Sequence, residues 1–269
     1  MTNEERRLVP IRQGRMATWV WGEGEPVFLL HPLALAGELW RPLGTALAAD
    51  FQVFAPDQRG HGRTSWDREP FSIEDMAGDL GDALDSLGLD SVHLLGMSMG
   101  GSVAMTFAGK YPDRVRSLTL ADTTAWYGEN AVTAWRERAE KAVGVPREKQ
   151  VTFQVDRWFS EPFRAGHPSE VQRVVDIFVD TDSEAHAAAS LAMGAMDSRH
   201  LLPSVTARTL VLVGEQDYAT PPAMAEVLAQ EIPATRLLVL PGLRHLSLVE
   251  KPELAALVRA HLNGTEVPA

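Results

Sequence analysis

Between residues 92 and 110 the chain runs a short apolar stretch, Val92 to Leu95, into Gly96-Met97-Ser98-Met99-Gly100-Gly101, and then into an amphipathic stretch ending at Lys110. No other feature constrains the fold as strongly. A strand can pass directly into a helix only through a sharp turn, and glycines at 96 and 100 remove the side chains that would hold strand and helix apart. Such a turn forces Ser98 into a strained backbone conformation and lifts its hydroxyl above the sheet, at the positive end of the helix. The G-x-S-x-G pattern in this strand, turn, helix setting marks Ser98 as a candidate nucleophile.

The flanking sequence repeats the same alternation. Apolar runs of strand length occur at Ala17 to Trp21, Val27 to Leu30, Gln52 to Ala55, Ser117 to Ala121, Thr209 to Val213 and Arg236 to Leu240. Stretches with helical spacing separate them: Leu39 to Leu47, Ile73 to Leu87, Gly101 to Lys110, Ala223 to Glu231 and Pro252 to Leu262. Alternation of this kind predicts a mostly parallel sheet with helices on both faces. Ser72 ahead of Glu74 and Asp75 predicts a capped helix start, and Gly88 closes that helix. Asn263 to Ala269 reads as a short frayed tail.

From Thr123 to Pro203 the pattern changes. Trp126, Trp135, Trp158, Phe159, Phe163, Phe178, Met193 and Met196 stand among charged residues at helical spacing, with no strand pattern. We read a helical cap over residues 123–203, inserted into a core domain of residues 1–122 and 204–269. A chain of 269 residues, 45% hydrophobic, fits one large domain with an insertion. The cap aromatics serve packing individually and the roof of an apolar pocket collectively.

Charge and composition exclude several function classes. With 25 Lys+Arg against 36 Asp+Glu, the net charge of -11 repels a phosphate backbone, so nucleic acid is not an expected partner. The opening, Met1 to Pro10, is charged and carries no apolar run of signal-peptide or membrane-helix length, which predicts a cytoplasmic protein with no membrane association. Without cysteine there is no disulfide, thiol nucleophile or thiolate metal site. The eight histidines form no His-Glu-x-x-His pattern, so neither metal nor other cofactor is implied. A small-molecule carbonyl compound is the expected partner, and a homo-oligomer stays open.

A serine hydroxyl needs a base to take its proton and a carboxylate to orient that base. The expected chain order is serine, acid, histidine. Asp217 follows the strand Thr209 to Val213 across Gly214-Glu215-Gln216, and His245 follows Arg236 to Leu240 across Pro241-Gly242-Leu243-Arg244. Asp122, after Ser117 to Ala121, is the competing acid, because a triad is defined by geometry and not by position; Glu215 neighbours Asp217. Asp57, in Asp57-Gln58-Arg59-Gly60-His61-Gly62-Arg63-Thr64, is assigned to a scaffolding turn, and His261 to the solvent side of the last helix. Acyl transfer also needs donors for the oxyanion. Met99 supplies one N–H and the loop His31-Pro32-Leu33-Ala34-Leu35 the other; Pro32 has none to give, which leaves Leu33.

The elbow, the Asp57 to Thr64 turn, the Gly214 to Asp217 loop and the Pro241 to His245 loop together resemble the α/β-hydrolase superfamily over nearly the whole chain. That resemblance implies an α/β-hydrolase fold with a helical cap insertion, and cleavage of an ester, thioester or lactone. Within the superfamily, Arg157-Trp158-Phe159, Phe163-Arg164, His167-Pro168 and Ala219-Thr220-Pro221-Pro222 are similar to bacterial 3-oxoadipate enol-lactonases. This closer resemblance implies a small anionic enol-lactone from aromatic catabolism, with Trp135, Trp158 and Arg164 contacting it, Arg164 through the carboxylate. The oxyanion loop departs from those lactonases: His31-Pro32 stands where they carry small polar residues, nearer the His-Gly opening of general carboxylesterases. A carbon-carbon bond hydrolase of ring-cleavage products uses the same serine, histidine and aspartate, and a binding protein on the same scaffold is the non-enzymatic alternative.

Overall fold

The computed structural model describes residues 4–265. Eight strands form one sheet in the order β1-β2-β4-β3-β5-β6-β7-β8. They span Glu4–Ile11 (β1), Gly14–Trp21 (β2), Glu25–Leu30 (β3), Phe51–Pro56 (β4), Val92–Met97 (β5), Val115–Ala121 (β6), Arg208–Gly214 (β7) and Thr235–Leu240 (β8). From β4 through β8 all neighbours are parallel, and β2 joins β1 and β4 antiparallel. The seven strands expected from apolar runs are all present. The eighth, β1, lies in the charged opening, to which the sequence reading assigned no strand. Val9 is its one buried residue, and an edge strand carrying Glu4, Glu5, Arg6 and Arg7 has no apolar periodicity to detect. Charges there also protect the open edge from pairing with other chains.

Helices cover both faces: Arg41–Leu47 (α1), Ile73–Ser86 (α2), Met99–Lys110 (α3), Pro222–Glu231 (α9), Ser247–Glu250 (α10) and Leu254–Leu262 (α11). The Leu39 to Leu47 stretch divides into a 3-10 turn, Gly37–Trp40, and α1. Ser72 Oγ accepts from Asp75 N while Asp75 returns a bond to Ser72 N, a capping box at the start of α2. Gly88, at φ 67°, ends that helix in the left-handed conformation. His261, expected at the surface, is instead 3% exposed, and its Nε2 donates to Leu118 O; α11 packs this face onto β6. Of the expected tail, residues 266–269 lie outside the described residues, and 263–265 continue the hydrogen bonding of α11.

Between β6 and β7 the chain forms five helices, Ala131–Gly144 (α4), Arg147–Trp158 (α5), Glu161–Gly166 (α6), Pro168–Asp180 (α7) and Ser183–Ala195 (α8). A bridge between Trp126 and Asp197 closes the base of this insert. The insert is tied to loops that leave the carboxyl ends of β3 and β8. Thr181 Oγ1 donates to Ala34 O at 2.9 Å, Leu246 N to Trp158 O at 3.1 Å, and Arg173 to the carbonyls of Glu38 and Leu39.

Register fixes where the loops emerge. Leu30 pairs with Gly96, Gly96 with Leu120, Ala121 with Leu212, and Gly214 with Leu240. Strands β3, β5 and β6 therefore end within one residue of the same level, and β7 and β8 run two residues further along the same edge. Because β4 and β5 flank β3 on opposite sides, the chain reverses direction across the sheet there, the crevice in which open α/β sheets bind ligands. Replacing Ser72 with alanine should cost about 1 kcal/mol of stability, read from the denaturant midpoint at unchanged slope.

Candidate active site

Ser98 occupies the tip between β5 and α3, with φ 55° and ψ −122°. A backbone this strained persists only when its surroundings fix it. A Cβ on Gly100 would lie 2.1 Å from Leu30 O, and one on Gly96 would lie 2.2 Å from Gly100 O, so each glycine permits a backbone contact that alanine forbids. Ser98 N donates to Ala121 O, and Thr123 Oγ1 donates to Ser98 O at 2.7 Å.

The structure brings Ser98, His245 and Asp217 into one line. His245 Nε2 lies 2.9 Å from Ser98 Oγ, and its Nδ1 lies 2.8 Å from Asp217 Oδ2. Asp217 also accepts from Ala219 N, Thr220 N and Thr220 Oγ1. Burial by itself would raise the Asp217 carboxyl; His245 and the Thr220 donors outweigh it and hold the group below its usual range. Burial also depresses His245 below the ordinary imidazole value, against the opposing pull of Asp217. A carboxylate acceptor at Nδ1 makes that nitrogen the donor, so Nε2 presents its lone pair to the serine hydroxyl.

Asp122, the competing acid, serves elsewhere. Its Oδ1 accepts from Gly214 N at 2.9 Å and its Oδ2 from Ser247 N and Ser247 Oγ, tying the end of β6 to β7 and to the start of α10. Burial, with the charge of Asp217 beside it, raises its carboxyl well above the usual range. Asp57 likewise scaffolds: it accepts from Gly37 N, Arg63 N and Arg6.

Ala34 sits at φ 60° in a turn closed by Leu35 N donating to Pro32 O. Its N–H goes to His61 Nε2 at 3.2 Å, and its carbonyl takes the Thr181 hydroxyl. His61 Nδ1 donates to Arg59 O, which leaves Nε2 as the acceptor. Both faces of the Ala34 backbone are thus held, one from the core and one from the insert. The N–H groups of Leu33 and Met99 have no acceptor among the described residues.

Of the residues carried over by resemblance, only Trp135 lines a cavity that reaches the Asp217 loop, at Tyr218 and Ala219; Ser98 and His245 are not part of its lining. That cavity, about 370 Å³, is bounded by Tyr127, Trp135, Arg138, Arg157, Tyr218 and Ala219, among others. Trp158 packs into the insert, 5.4 Å from the ring of Phe178. Arg164 pairs with Asp156 at 3.1 Å and lies outside the lining. Sequence reasoning did not single out Arg138 or Thr181, and it quoted Arg157 and Thr220 only within the stretches that carry the resemblance, without a role. Arg138 had a signal, three residues after Trp135 on the same helix face; Thr181 had none.

Comparison with known proteins fits this geometry. The family model for the alpha/beta hydrolase fold matches residues 25–252. The chain belongs to the α/β-hydrolase family. It is 30% identical over 217 residues to 3-oxoadipate enol-lactonase 1 of Acinetobacter baylyi, covering 80% of this chain and 79% of that protein. The enol-lactonase from Burkholderia xenovorans superposes with a TM-score of 0.91 at 28% identity, over 96% of this chain and 100% of that one. A thermophilic esterase from Thermogutta terrifontis, solved with malate bound, gives 0.88 at 32% identity, over 97% and 98%. Hydrolysis of an ester or lactone bond is the chemistry these α/β-hydrolase relatives share with this chain. Among the described residues no helix is long and apolar enough to cross a membrane.

Asp122→Asn should lower stability by about 1–3 kcal/mol, since an amide placed among three donors turns one of its own N–H groups toward them. Chemical denaturation of the variant measures this, and wild-type stability would remove Asp122 from its structural role.

Proposed function

We propose that the chain is a serine hydrolase of small carboxylic esters and lactones, working through Ser98, His245 and Asp217 on an enol-lactone of the 3-oxoadipate type. The observation that carries this reading is the unbroken hydrogen-bonded line from Ser98 Oγ through both nitrogens of His245 to Asp217. The enol-lactonase relatives support the substrate class, and the helical insert of residues 123–203 acts as the cap over it, with Trp135 as a wall against the substrate.

In this mechanism His245 Nε2 takes the Ser98 proton as Oγ attacks the lactone carbonyl. Charge develops on the carbonyl oxygen, where the N–H groups of Leu33 and Met99 receive it. Asp217 supports the imidazolium. The ring C–O bond breaks as the enol oxygen takes the proton from His245, leaving an acyl group on Ser98 with the enol still tethered. Water, deprotonated by His245, then attacks the acyl carbonyl and releases the acid, while the proton returns to Ser98. A lactone therefore gives one ring-opened product.

Loss of either proton-handling partner should abolish this chemistry: Ser98→Ala or His245→Ala should reduce turnover about a millionfold, and Asp217→Asn about ten-thousandfold. A panel of a 3-oxoadipate-type enol-lactone, p-nitrophenyl esters and a ring-cleavage dienone tests the substrate. Ser98-dependent lactone opening faster than the other two is the expected result; preference for the dienone would make the protein a carbon-carbon bond hydrolase, and preference for simple esters a general carboxylesterase.

His245 acts as a base only when neutral, and its folded-state value is depressed below the ordinary 6.5. Activity should therefore persist at pH 6.5 and fall only as the pH drops through that lower value. The acid limb of kcat/KM against pH should have its midpoint below about 6.5, and a midpoint above it would show that another group controls the reaction.

A further inference from the structure

The loop after β3 turns between Pro32 and Leu35, and within that turn Ala34 has φ 60° while Leu33 has no positive φ. This combination belongs to a type II turn, whose third position suits glycine and burdens alanine. Turning the Leu33–Ala34 peptide over gives a type I turn, in which Ala34 regains a negative φ. Ala34 therefore holds the less favourable of two related turns, in the segment that carries the Leu33 N–H. A conformation of this kind persists where its surroundings fix it.

Two bonds fix it. The first runs from Ala34 N–H to His61 Nε2, at 3.2 Å. Burial depresses the His61 ring to about 3, so it stays neutral and Nε2 keeps its lone pair. A peptide turned over would present the Leu33 carbonyl oxygen to that lone pair. The second runs from Thr181 Oγ1 to Ala34 O, at 2.9 Å. Thr181 follows α7 in the insert, is 6% exposed, and has another acceptor within reach, Ile177 O at 3.1 Å. A hydroxyl has one hydrogen to give. With the insert seated it serves the shorter bond to Ala34; with the insert displaced it falls back on Ile177 O, the ordinary bond from a threonine to the fourth residue before it. Loosening the contact thus leaves the turn, and not the hydroxyl, without a partner.

The same corner of the insert rests on the His61 loop. Gly60, at φ 75°, approaches α8 so closely that a Cβ there would lie 2.8 Å from the Cβ of Ala185. Residues 181–185 therefore touch both of the loops that meet at Ala34.

We propose that Thr181 is a positioning residue for the reaction at Ser98: through the Ala34 carbonyl it holds the turn in the form that aims the Leu33 N–H at the carbonyl oxygen under attack. The inference rests on the hydrolase reading, with Leu33 as an oxyanion donor, and extends it: the seating of the helical insert enters the chemical step as well as the shape of the pocket.

Turnover of p-nitrophenyl butyrate tests this in Thr181→Val, which keeps the shape of the side chain and removes the hydroxyl. A misaligned donor loses much of its effect at the transition state, so kcat should fall about tenfold to a hundredfold while KM changes less than about threefold. Thr181→Ser, which restores a hydroxyl, should return kcat to within about threefold of wild type. Ala34→Gly added to Thr181→Val should recover most of the lost kcat, since glycine takes φ 60° without strain; a purely structural threonine predicts no such rescue. Denaturant midpoints measured alongside separate turnover from stability. A lower midpoint with unchanged kcat, a change confined to KM, or a fall in kcat that neither serine nor glycine restores overturns the proposal. Ser98→Ala reports on the hydrolase reading separately: Ser98-dependent turnover indifferent to Thr181 refutes this inference alone, whereas turnover that survives Ser98→Ala refutes both.

Discussion

The close approach of α3 to the ends of β3 and β5 is the contact on which the rest of the molecule depends. Gly100 lies against the Leu30 carbonyl and Gly96 against Gly100, at separations no side chain could occupy. That proximity turns the chain sharply enough to hold Ser98 at positive φ, and it sets the loop after β3 beside the nucleophile. Every residue from Met99 to Gly109 is buried, so the packing around α3 resists relaxation of the strain at its first turn.

From that fixed point the parallel register distributes the other functional groups. Parallel strands that end along one edge of the sheet deliver Ser98, Asp122, Asp217 and His245 from consecutive loops, and the hydrogen-bond partners decide their roles. Asp217 faces His245 with three further donors around it, whereas Asp122 is spent on Gly214 and Ser247. Two aspartates at comparable positions thus diverge: one is held ionised beside an imidazole, the other sits in a site that disfavours its charge. The insert takes part as well. Thr181 and His61 hold the carbonyl and the N–H of Ala34 from opposite sides, which orients the turn that carries Leu33.

Much of this is legible in the sequence. Apolar runs mark seven of the eight strands; the buried parallel strands among them are apolar on both faces because helices cover the sheet on either side. The glycines around Ser98 announced the turn, and the loops after β7 and β8 pointed to Asp217 and His245. Strand β1 was hidden because an edge strand needs few apolar residues. His261 was misplaced because a polar ring gives no sign that a backbone carbonyl awaits it inside. Arg164 is the arginine that the resemblance points to, and no local pattern shows that it shares the Asp156 carboxylate with Arg244.

The sequence by itself determined the alternation of strand and helix, the strained serine turn and the order of the three reacting residues, since each follows from local spacing and the backbone freedom of particular glycines. Only the tertiary structure decided which aspartate meets His245 and which elements grip Ala34. Those outcomes rest on contacts between residues 27 to 147 positions apart, and no local pattern encodes the angle at which five helices settle on the end of a sheet.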